Sequence, residues 1–317
     1  MFTPLHVYTG SSLLKSGIKI DEYLKYASKL NFNNLAISDF ETFRGVPHFV
    51  HECQKYNIKP IIGIDLIIEG LLFTFFIKNE QGYKNALTLF YEYNNKRLSL
   101  NNYHLYCDGL IVVLSIVNDE FKNQFNDNKF NYWLTSIQKN VSDFYLGLSI
   151  DYDDYFYLDN VRKFANEHNY KTVCFPFIKY LKKEDAIILD MVDAINNNEK
   201  IEIKKHNGPY YLITEDELIN HFTSEEIEQT NIIANQIEFK FIEKRGKMIK
   251  FKNDLNMTSD EYLRYLLFES LKNHQLDNNK IYIKRVNYEL DVITKLGYSD
   301  YFLLVQDYVK KKKNNNI

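Results

Sequence analysis

Three side chains that could bind a metal ion lie where predicted strands end: His6, Asp39 and Asp65. Asp39 follows the apolar run 35–37 after a single serine, and Asp65 lies within the isoleucine-rich run 60–68. Because the carboxyl ends of parallel strands meet at one edge of a sheet, we expect these side chains to converge there. Imidazole and carboxylate groups are ligands of divalent metal ions. The residues alone therefore allow either one weakly bound ion or a set of hydrogen-bonded polar side chains.

A second candidate pair of ligands is His48 and His51, which lie one helical turn apart and close to Cys53. Metal sites use such spacing. However, the apolar positions Val46, Phe49, Val50 and Cys53 recur at the spacing of one buried helix face. The two histidines then lie on the outer side of the helix. We therefore expect solvent-exposed histidines here rather than a metal site.

A run of lysines, Lys310 to Lys313, ends the last predicted helix. Binding to a DNA backbone needs such positive charge. Cations at the C-terminus of a helix are also favoured by the helix dipole, without any ligand. On the sequence alone, both interpretations stay open.

The elements that position these residues begin with residues 33–69, whose apolar pattern predicts a strand, a helix and a second strand. Such a unit pairs its strands in parallel through a right-handed crossover. Strand and helix patterns continue to alternate as far as residue 175, which gives about seven strands and favours an α/β barrel, closed or nearly so. The other predicted strands are residues 2–8, 71–77, 110–114, 144–150 and 171–175. The helical patterns outside the first unit are residues 21–30, 83–93, 132–137 and 157–165.

Beyond about residue 182 the pattern changes to helices whose starts are marked by capping boxes. Thr214, Thr223 and Thr258 are each followed three residues later by a glutamate. The polar stretch 253–257 shows no periodicity and is typical of a linker.

These observations predict two domains. The first comprises residues 1–250, with a barrel core at about 1–185 and appended helices, and the second comprises residues 251–317 and is helical. The helices of the second domain are expected at about 259–273, 280–295 and 300–312, with Leu290, Phe302 and Val305 among their packing residues.

The composition describes a chain with a sizeable core and no strong charge bias. Its 317 residues are 45% hydrophobic and carry a formal net charge of -3, so a globally basic nucleic-acid-binding protein is excluded. Three widely spaced cysteines favour reduced thiols in a cytoplasmic protein. The sequence shows neither a signal peptide nor a membrane-spanning run. It also lacks a Walker loop, a GxGxxG motif, a Ser-His-Asp order and an HExxH motif.

Several segments, taken in order, resemble the N-terminal part of the bacterial replicative DNA polymerase III alpha subunit family. Residues 2–20 resemble its opening, and residues 35–65 are similar to its Thr-Asp-His-Gly loop, the helix after it and its Lys-Pro-Ile-Ile-Gly-Cys-Glu strand. Residues 78–83 (KNEQGY) resemble its Lys-Asn-Glu-x-Gly-Tyr turn, and residues 180–186 (YLKKEDA) its Tyr-Leu-x-x-Glu-Asp-Ala segment. The most specific match is residues 288–309 (YELDVITKLGYSDYFLLVQDYV), which resemble the segment that leads into the polymerase palm. The resemblance spans nearly the whole chain.

The resemblance implies an α/β fold, a distorted (β/α)7-like barrel of the polymerase-and-histidinol-phosphatase (PHP) type, followed by a mainly helical segment leading into the palm. The strand ends of such barrels hold a metal cluster that hydrolyses phosphoesters in some members. Here Asp39 matches the family, but the histidine after it is Phe40, and Asp65 replaces a glutamate. Lys179 stands where the family can carry a histidine, and only His6 remains of the histidines of the first strand. The site is therefore expected to be vestigial, with His6, Asp39 and Asp65 holding no ion or one weakly bound divalent ion.

The same resemblance implies that the full-length protein is a DNA-directed DNA polymerase, a nucleotidyltransferase of chromosome replication. Its expected cofactor is Mg2+, with ligands beyond residue 317, and its expected partners are primer-template DNA, dNTPs, the sliding clamp and other replisome subunits, with no membrane. Residues 1–317 alone are then expected to be inactive and structural. The alternative is a stand-alone PHP-type metal-dependent phosphoesterase, which would have no use for the helical stretch 210–317. A non-catalytic binding module is a third interpretation.

Overall fold

The computed structural model describes residues 2–116, 140–150, 155–201, 209–241 and 249–314, together with residues 121, 125, 133, 134 and 137. Of the helical pattern predicted at residues 132–137, residues 132, 135 and 136 lie outside the described residues. The chain divides into two compact units, residues 1–242 and residues 243–317.

The first unit is built on a mixed sheet whose strands lie side by side in chain order. The strands are β1 (Asn34–Ile37), β2 (Lys59–Ile68), β3 (Leu71–Ile77), β4 (Leu110–Ser115), β5 (Phe144–Leu148) and β6 (Lys171–Cys174). β1 pairs in parallel with β2, and Ile37 lies opposite Ile62, which confirms the predicted strand, helix and strand unit. β4, β5 and β6 also run parallel to one another.

The predicted strand 71–77 is confirmed as β3. The alternation of strands and helices is interrupted there, because β3 follows β2 directly and pairs antiparallel with both β2 and β4. β2 and β3 are joined only by Glu69 and Gly70, whose φ values are 48° and 88°. Positive φ at both positions is the geometry of a two-residue hairpin turn, and a parallel crossover needs a much longer connection. The hairpin places Thr74 of β3 directly opposite Asp65 of β2.

The segment before β1, expected to be a strand, is extended but forms only an isolated bridge between Val7 and Ile178. Its backbone pairs on both sides. Ser38 N–H donates to the Val7 carbonyl at 2.9 Å, and Ile178 N–H donates to the His6 carbonyl at 2.9 Å. This segment therefore connects β1, at one edge of the sheet, with the chain that follows β6 at the other edge. The result is the nearly closed, distorted barrel that the sequence predicts.

The helices of the first unit cover the sheet, and two of them begin at predicted capping boxes. Those whose bounds lie within the described residues are α1 (Ile20–Lys29), α2 (Val46–Lys55), α3 (Glu80–Asn94), α4 (Tyr155–His168), α5 (Ile187–Asn197), α6 (Glu215–Leu218) and α7 (Ser224–Gln236). At the start of α7, Thr223 N–H donates to the Glu226 carboxylate at 2.9 Å, and Glu226 N–H donates to Thr223 Oγ1 at 3.2 Å. Both predicted partners of the box are thus in contact.

The two faces of the sheet contribute to separate apolar clusters. In β4, Val112 belongs to the larger cluster and Ile111 to the smaller one, as alternation along a strand requires. α7 contributes Ile233 to the smaller cluster. Asp65 has the same parity along β2 as Ile61, a member of the smaller cluster, so its carboxylate lies on that face of the sheet. This placement directs Asp65 towards the inside of the barrel.

The second unit is helical, as predicted, with α8 (Ser259–Asn273), α9 (Lys280–Lys295) and α10 (Ser299–Asn314). Its core contains one buried leucine from each helix, Leu263, Leu290 and Leu303. Burial of Leu290 was expected, but Phe302 and Val305 are 45% and 43% exposed. The inward face of α10 is centred on Leu303, and the neighbouring positions are rotated away from it.

Candidate functional site

The carboxylate of Asp65 is fully buried and has a hydrogen-bonding partner at each oxygen. Oδ2 lies 2.7 Å from His6 Nε2 and accepts a hydrogen bond from the Tyr8 hydroxyl at 2.8 Å. Oδ1 accepts from the Thr74 hydroxyl at 2.5 Å. The partners come from the N-terminal segment and from the antiparallel neighbour strand, so the mixed sheet itself creates this arrangement. Burial and then the charge of Asp65 raise the pKa of Tyr8 well above its ordinary value, which keeps the phenol protonated as a donor.

The carboxylate of Asp39 is similarly enclosed. Oδ1 accepts hydrogen bonds from the Thr9 backbone N–H and the Ser12 hydroxyl, both at 2.6 Å, and Oδ2 accepts from the Thr9 hydroxyl at 2.8 Å. The loop from Thr9 to Ser12 therefore wraps around this one side chain. Burial raises the pKa of Asp39 above its ordinary value of 3.8, while the hydrogen bonds from Ser12 and Thr9 act in the opposite direction.

The two aspartates are joined through the backbone just beyond the end of β1. Asp65 N–H donates to the Asp39 carbonyl at 3.2 Å, and Glu41 N–H donates to the Asp65 carbonyl at 3.0 Å. Phe40 and Asp65 form an isolated parallel bridge at this point. His6, Asp39 and Asp65 thus lie at the same end of the parallel β1–β2 pair, where strand ends were expected to bring them together.

His6 is held between two aromatic rings. The centroid of its imidazole lies 4.3 Å from that of Phe175 and 4.1 Å from that of Phe177, with interplanar angles of 16° and 3°. Its Nε2 faces Asp65, and its Nδ1 is buried with no hydrogen-bond partner among the described residues. Both faces of the imidazole are therefore covered by phenyl rings, and one of its nitrogens is engaged.

A cleft of about 360 Å³ opens at this end of the barrel. Two lysines lie in its lining above aromatic rings. The Lys15 ammonium is 4.1 Å from the centroid of Phe40, and the Lys179 ammonium is 4.3 Å from that of Phe177 and 4.7 Å from that of Tyr210. Such contacts stabilise a cation at the ring face. Phe40 and Lys179 stand at positions where the resembled family can carry histidines.

These residues do not fit a multinuclear metal cluster. Such a cluster needs several carboxylates and imidazoles whose lone pairs point at the ions. Here protein donors reach both oxygens of Asp39 and both oxygens of Asp65. A divalent ion would have to compete with those donors for the carboxylate lone pairs, and Lys179 would repel it at the mouth. The arrangement is that of a hydrogen-bonded polar network, in which His6 Nδ1 alone has no partner among the described residues, rather than of a metal centre.

The other predicted candidates lie elsewhere. His48 is exposed and its Nε2 lies 2.7 Å from Asp21 Oδ1, while Cys53 is completely buried. Burial raises the pKa of the Cys53 thiol to about 12, which makes it an inert core residue. In the lysine run at the end of α10, Lys311 pairs with Asp307 at 2.8 Å, and the side chain of Lys313 lies outside the described residues. The DNA-contact interpretation of this run stays a prediction.

Sequence reasoning missed several members of the network. Thr74 could be identified only once β3 was known to be antiparallel to β2, because the register then sets it opposite Asp65. Phe175 and Phe177 lie about 170 residues from His6 in sequence, and a strand-end pattern contains no signal for their stacking. Tyr8 could have been predicted as a member, because side chains two residues apart in an extended segment point to the same side and Tyr8 follows His6 by two residues.

Comparisons with known proteins agree with the order of these segments. The family profile described as PHP domain matches residues 4–169, and the profile described as Bacterial DNA polymerase III alpha NTPase domain matches residues 261–317. The chain is 27% identical over 326 residues to the DNA polymerase III subunit alpha of Staphylococcus aureus (strain Mu50), with 100% of this chain and 28% of that protein covered. It is 28% identical over 354 residues to the subunit of the same name from Borreliella burgdorferi, with 31% of that protein covered. The chain thus spans less than a third of the length of these relatives.

Solved structures give weaker matches. An amidohydrolase from Chromobacterium violaceum aligns with a TM-score of 0.41 at 9% identity, covering 55% of this chain and 86% of that one. A putative metal-dependent phosphoesterase from Bifidobacterium adolescentis aligns with a TM-score of 0.39 at 9% identity, covering 54% and 85%. Among the described helices, none combines the length and the apolar character that crossing a membrane requires.

Proposed function

This chain belongs to the PHP domain family, and we propose that it is the N-terminal part of a replicative DNA polymerase III alpha subunit in which the PHP pocket has a structural role. Relatives of that name align with the whole chain, although it spans less than a third of their length. The match at residues 261–317 supports this proposal over a stand-alone phosphoesterase, because a phosphoesterase barrel needs no segment of that kind.

The observation that carries the structural role is the complete engagement of Asp39 and Asp65 by protein donors. A carboxylate that activates a water or holds an ion must keep an oxygen available for it. Here each oxygen instead accepts at least one hydrogen bond from the protein. Asp65 connects the N-terminal segment to β2 and β3, and Asp39 fixes the loop that contains Thr9 and Ser12.

For the complete protein we propose nucleotidyl transfer from dNTPs to a primer-template DNA, in the cytoplasm, with Mg2+ as cofactor. We place the ligands of those ions outside residues 1–317. The sliding clamp and other replisome subunits are its proposed partners. The contribution of residues 1–317 is to fold as a stable unit against which the catalytic part of the polymerase can be built, since packing depends on volume and apolar pattern rather than on metal ligands.

The pocket proposal is tested on the purified, chelator-untreated chain. Metal content is measured by mass spectrometry, and hydrolysis of p-nitrophenyl phosphate is followed in Mn2+ or Zn2+, for the wild type and for Asp39→Asn. We expect no turnover that depends on Asp39 and no ion that is lost in the variant. Tightly bound ions that disappear in Asp39→Asn, or hydrolysis abolished by it, would overturn the structural role.

The polymerase proposal has a separate test in the gene. The reading frame is sequenced beyond the codon of Ile317. We expect it to continue into a segment with paired aspartates that can bind magnesium ions. A stop codon directly after Ile317 would contradict this proposal and would favour the stand-alone alternative.

A further inference from the structure

A second group of metal-binding side chains lies on α1 and α2, outside the barrel mouth. Asp21, in the first turn of α1, and His48 and Glu52 of α2 each offer one ligand atom, and these atoms lie within 4.8 Å of one another. We propose that Asp21, His48 and Glu52 bind one divalent transition-metal ion of the zinc class, which links α1 to α2.

The backbone positions of these residues are fixed by the core rather than by an ion. His48 and Glu52 are four residues apart on α2, so their side chains lie on one face of the helix. α1 and α2 pack through Tyr23 and Phe49, both 0% exposed, whose rings stack with centroids 6.4 Å apart. Asp21 precedes Tyr23 by two residues at the start of α1. An ion would therefore meet a nearly preformed set of ligands, which reduces the ordering cost of binding.

The chemistry of the set suits a borderline metal. One imidazole and two carboxylates occur together as ligands of zinc and of similar divalent ions, and three protein ligands leave a position for water. Bonds of about 2.0 to 2.1 Å place the ligands of a tetrahedral zinc ion about 3.4 Å apart. His48 Nε2 and Asp21 Oδ1 are already 2.7 Å apart, and their side chains are 52% and 68% exposed. Rotation of these exposed side chains is sufficient to accommodate the ion.

The competitor for this site is the ammonium of Lys55. It lies 2.5 Å from Glu52 Oε1, and its side chain is 53% exposed. Lys55 thus occupies one oxygen of the Glu52 carboxylate. Because its long side chain is exposed, it can turn into solvent when an ion takes its place.

The cluster differs from the barrel mouth in how its carboxylates are used. Within the described part of the chain, the Asp21 carboxylate contacts His48 and the Glu52 carboxylate contacts Lys55, one side-chain partner each. Asp39, by contrast, accepts from three donor groups. Carboxylate oxygens therefore stay available to an ion at the α1–α2 cluster, which is the condition that the barrel mouth does not meet.

The test uses the full chain titrated with Zn2+ by calorimetry and with Co2+ by visible absorption, which reports coordination by nitrogen and oxygen. We expect one equivalent to bind. His48→Ala and the isosteric Glu52→Gln should each raise the dissociation constant at least about tenfold. Lys55→Gln should lower it, because it removes the competing cation. His51→Ala is the matched control, since it removes a neighbouring histidine of α2 that is not part of the cluster, and it should bind as the wild type does.

Asp39→Asn distinguishes this site from the barrel mouth. One equivalent retained in Asp39→Asn and lost in His48→Ala supports the α1–α2 site. Binding lost in Asp39→Asn but retained in His48→Ala would overturn this inference and the structural role of the PHP pocket together. No saturable binding, or equal affinity in the wild type, His48→Ala and Glu52→Gln, would overturn this inference alone. The circular dichroism of His48→Ala and Glu52→Gln should match the wild type, because the substitutions leave the core unchanged.

Discussion

The rings of His6 and Phe177 lie parallel, with their centroids 4.1 Å apart and their planes 3° apart. Phe177 stands in the short segment where the resembled family can carry Asn-Asp-Val-His, and the lysine two positions later takes the place of the histidine. A phenyl ring therefore covers the face of an imidazole whose Nε2 is engaged by Asp65. The same positions that could hold metal ligands here supply packing, so substitutions in this network should lower the stability of the fold.

Tyr8→Phe should lower the free energy of unfolding by about 1.5 kcal/mol, because it removes a buried hydrogen bond to a carboxylate. Urea-induced unfolding of the full chain measures this. Tyr103→Phe is the control, because the hydroxyl of Tyr103 is buried with no hydrogen-bond partner among the described residues. Removing that hydroxyl should be neutral or slightly stabilising. Equal destabilisation by the two substitutions would show that the Tyr8 hydroxyl contributes nothing specific.

Glu226→Ala should be strongly destabilising, because Glu226 has two structural roles. Its carboxylate caps the start of α7 through Thr223, and it accepts hydrogen bonds from Arg162 Nε at 2.8 Å and Nη2 at 3.0 Å. Glu226 is 3% exposed, whereas the Arg162 side chain is 22% exposed and can recover some hydration. We expect a loss of about 2 to 4 kcal/mol in urea-induced unfolding.

Glu22→Ala is the matched control for that substitution. Glu22 pairs with Lys19 at 3.1 Å, but both side chains are well exposed, so the pair contributes little. We expect the free energy of unfolding to fall by at most about 1 kcal/mol. This figure includes the loss of a favourable negative charge near the start of α1. The interpretation fails if Glu226→Ala costs no more than Glu22→Ala.

Gly82→Ala should destabilise the first unit by several kcal/mol or prevent its folding. A Cβ at position 82 would lie 1.8 Å from the carbonyl oxygen of Gly109, which is a backbone atom that cannot move aside. The backbone N–H of Gly82 also donates a hydrogen bond to the Asn79 side chain at 2.9 Å. Gly82 therefore takes part both in this turn and in the close contact with Gly109. This gives a physical reason for glycine in the KNEQGY turn. Gly10→Ala, whose Cβ would lie 3.6 Å from its nearest neighbour, should leave the melting temperature nearly unchanged.

The sequence predicted the parts of this fold that depend on local periodicity. β1, α2 and β2 have distinct strand and helix patterns, and the starts of α7 and α8 are marked by the hydroxyl and glutamate of their capping boxes. The hairpin at Glu69 and Gly70 was not predicted, although the predicted strands 60–68 and 71–77 leave only these two residues between them. Glu-Gly is not among the dipeptides that most strongly indicate a hairpin turn, although a glycine at the second position is typical of such turns.

The candidate sites show the same limit at the level of side chains. Strand ends were sufficient to place His6, Asp39 and Asp65 near one another, because parallel strands share an edge. Helical spacing suggested His51 as a companion of His48, whereas the nearest companion is Asp21, which lies 27 residues away on another helix. Contacts between elements depend on how helices pack, and a single sequence contains no direct record of that packing.

Asp39 provides a test in which charge and hydrogen bonding can be separated. In Asp39→Asn the amide oxygen can still accept hydrogen bonds from the Thr9 N–H and the Ser12 hydroxyl. The Thr9 hydroxyl, which donates to Asp39 in the wild type, can instead accept a hydrogen bond from the amide nitrogen. Asp39→Ala leaves these donors without an acceptor in a buried site, and we expect it to cost about 3 kcal/mol or more. Asp39→Asn should cost much less in urea-induced unfolding.

The pH dependence gives the second part of this prediction. Burial raises the pKa of Asp39 in the folded state above its ordinary value of 3.8. The folded chain therefore keeps this proton to higher pH than the unfolded chain does, so the contribution of Asp39 to stability falls as the pH rises from about 3.8 through the folded-state pKa and is constant above it. Asp39→Asn lacks this titration. Its stability relative to the wild type should therefore increase between pH 4 and pH 7, as measured by urea unfolding at each pH. A difference that is constant with pH would show that the buried charge of Asp39 carries no such cost. A loss in Asp39→Asn as large as in Asp39→Ala would show that the amide does not replace the hydrogen bonds of the carboxylate.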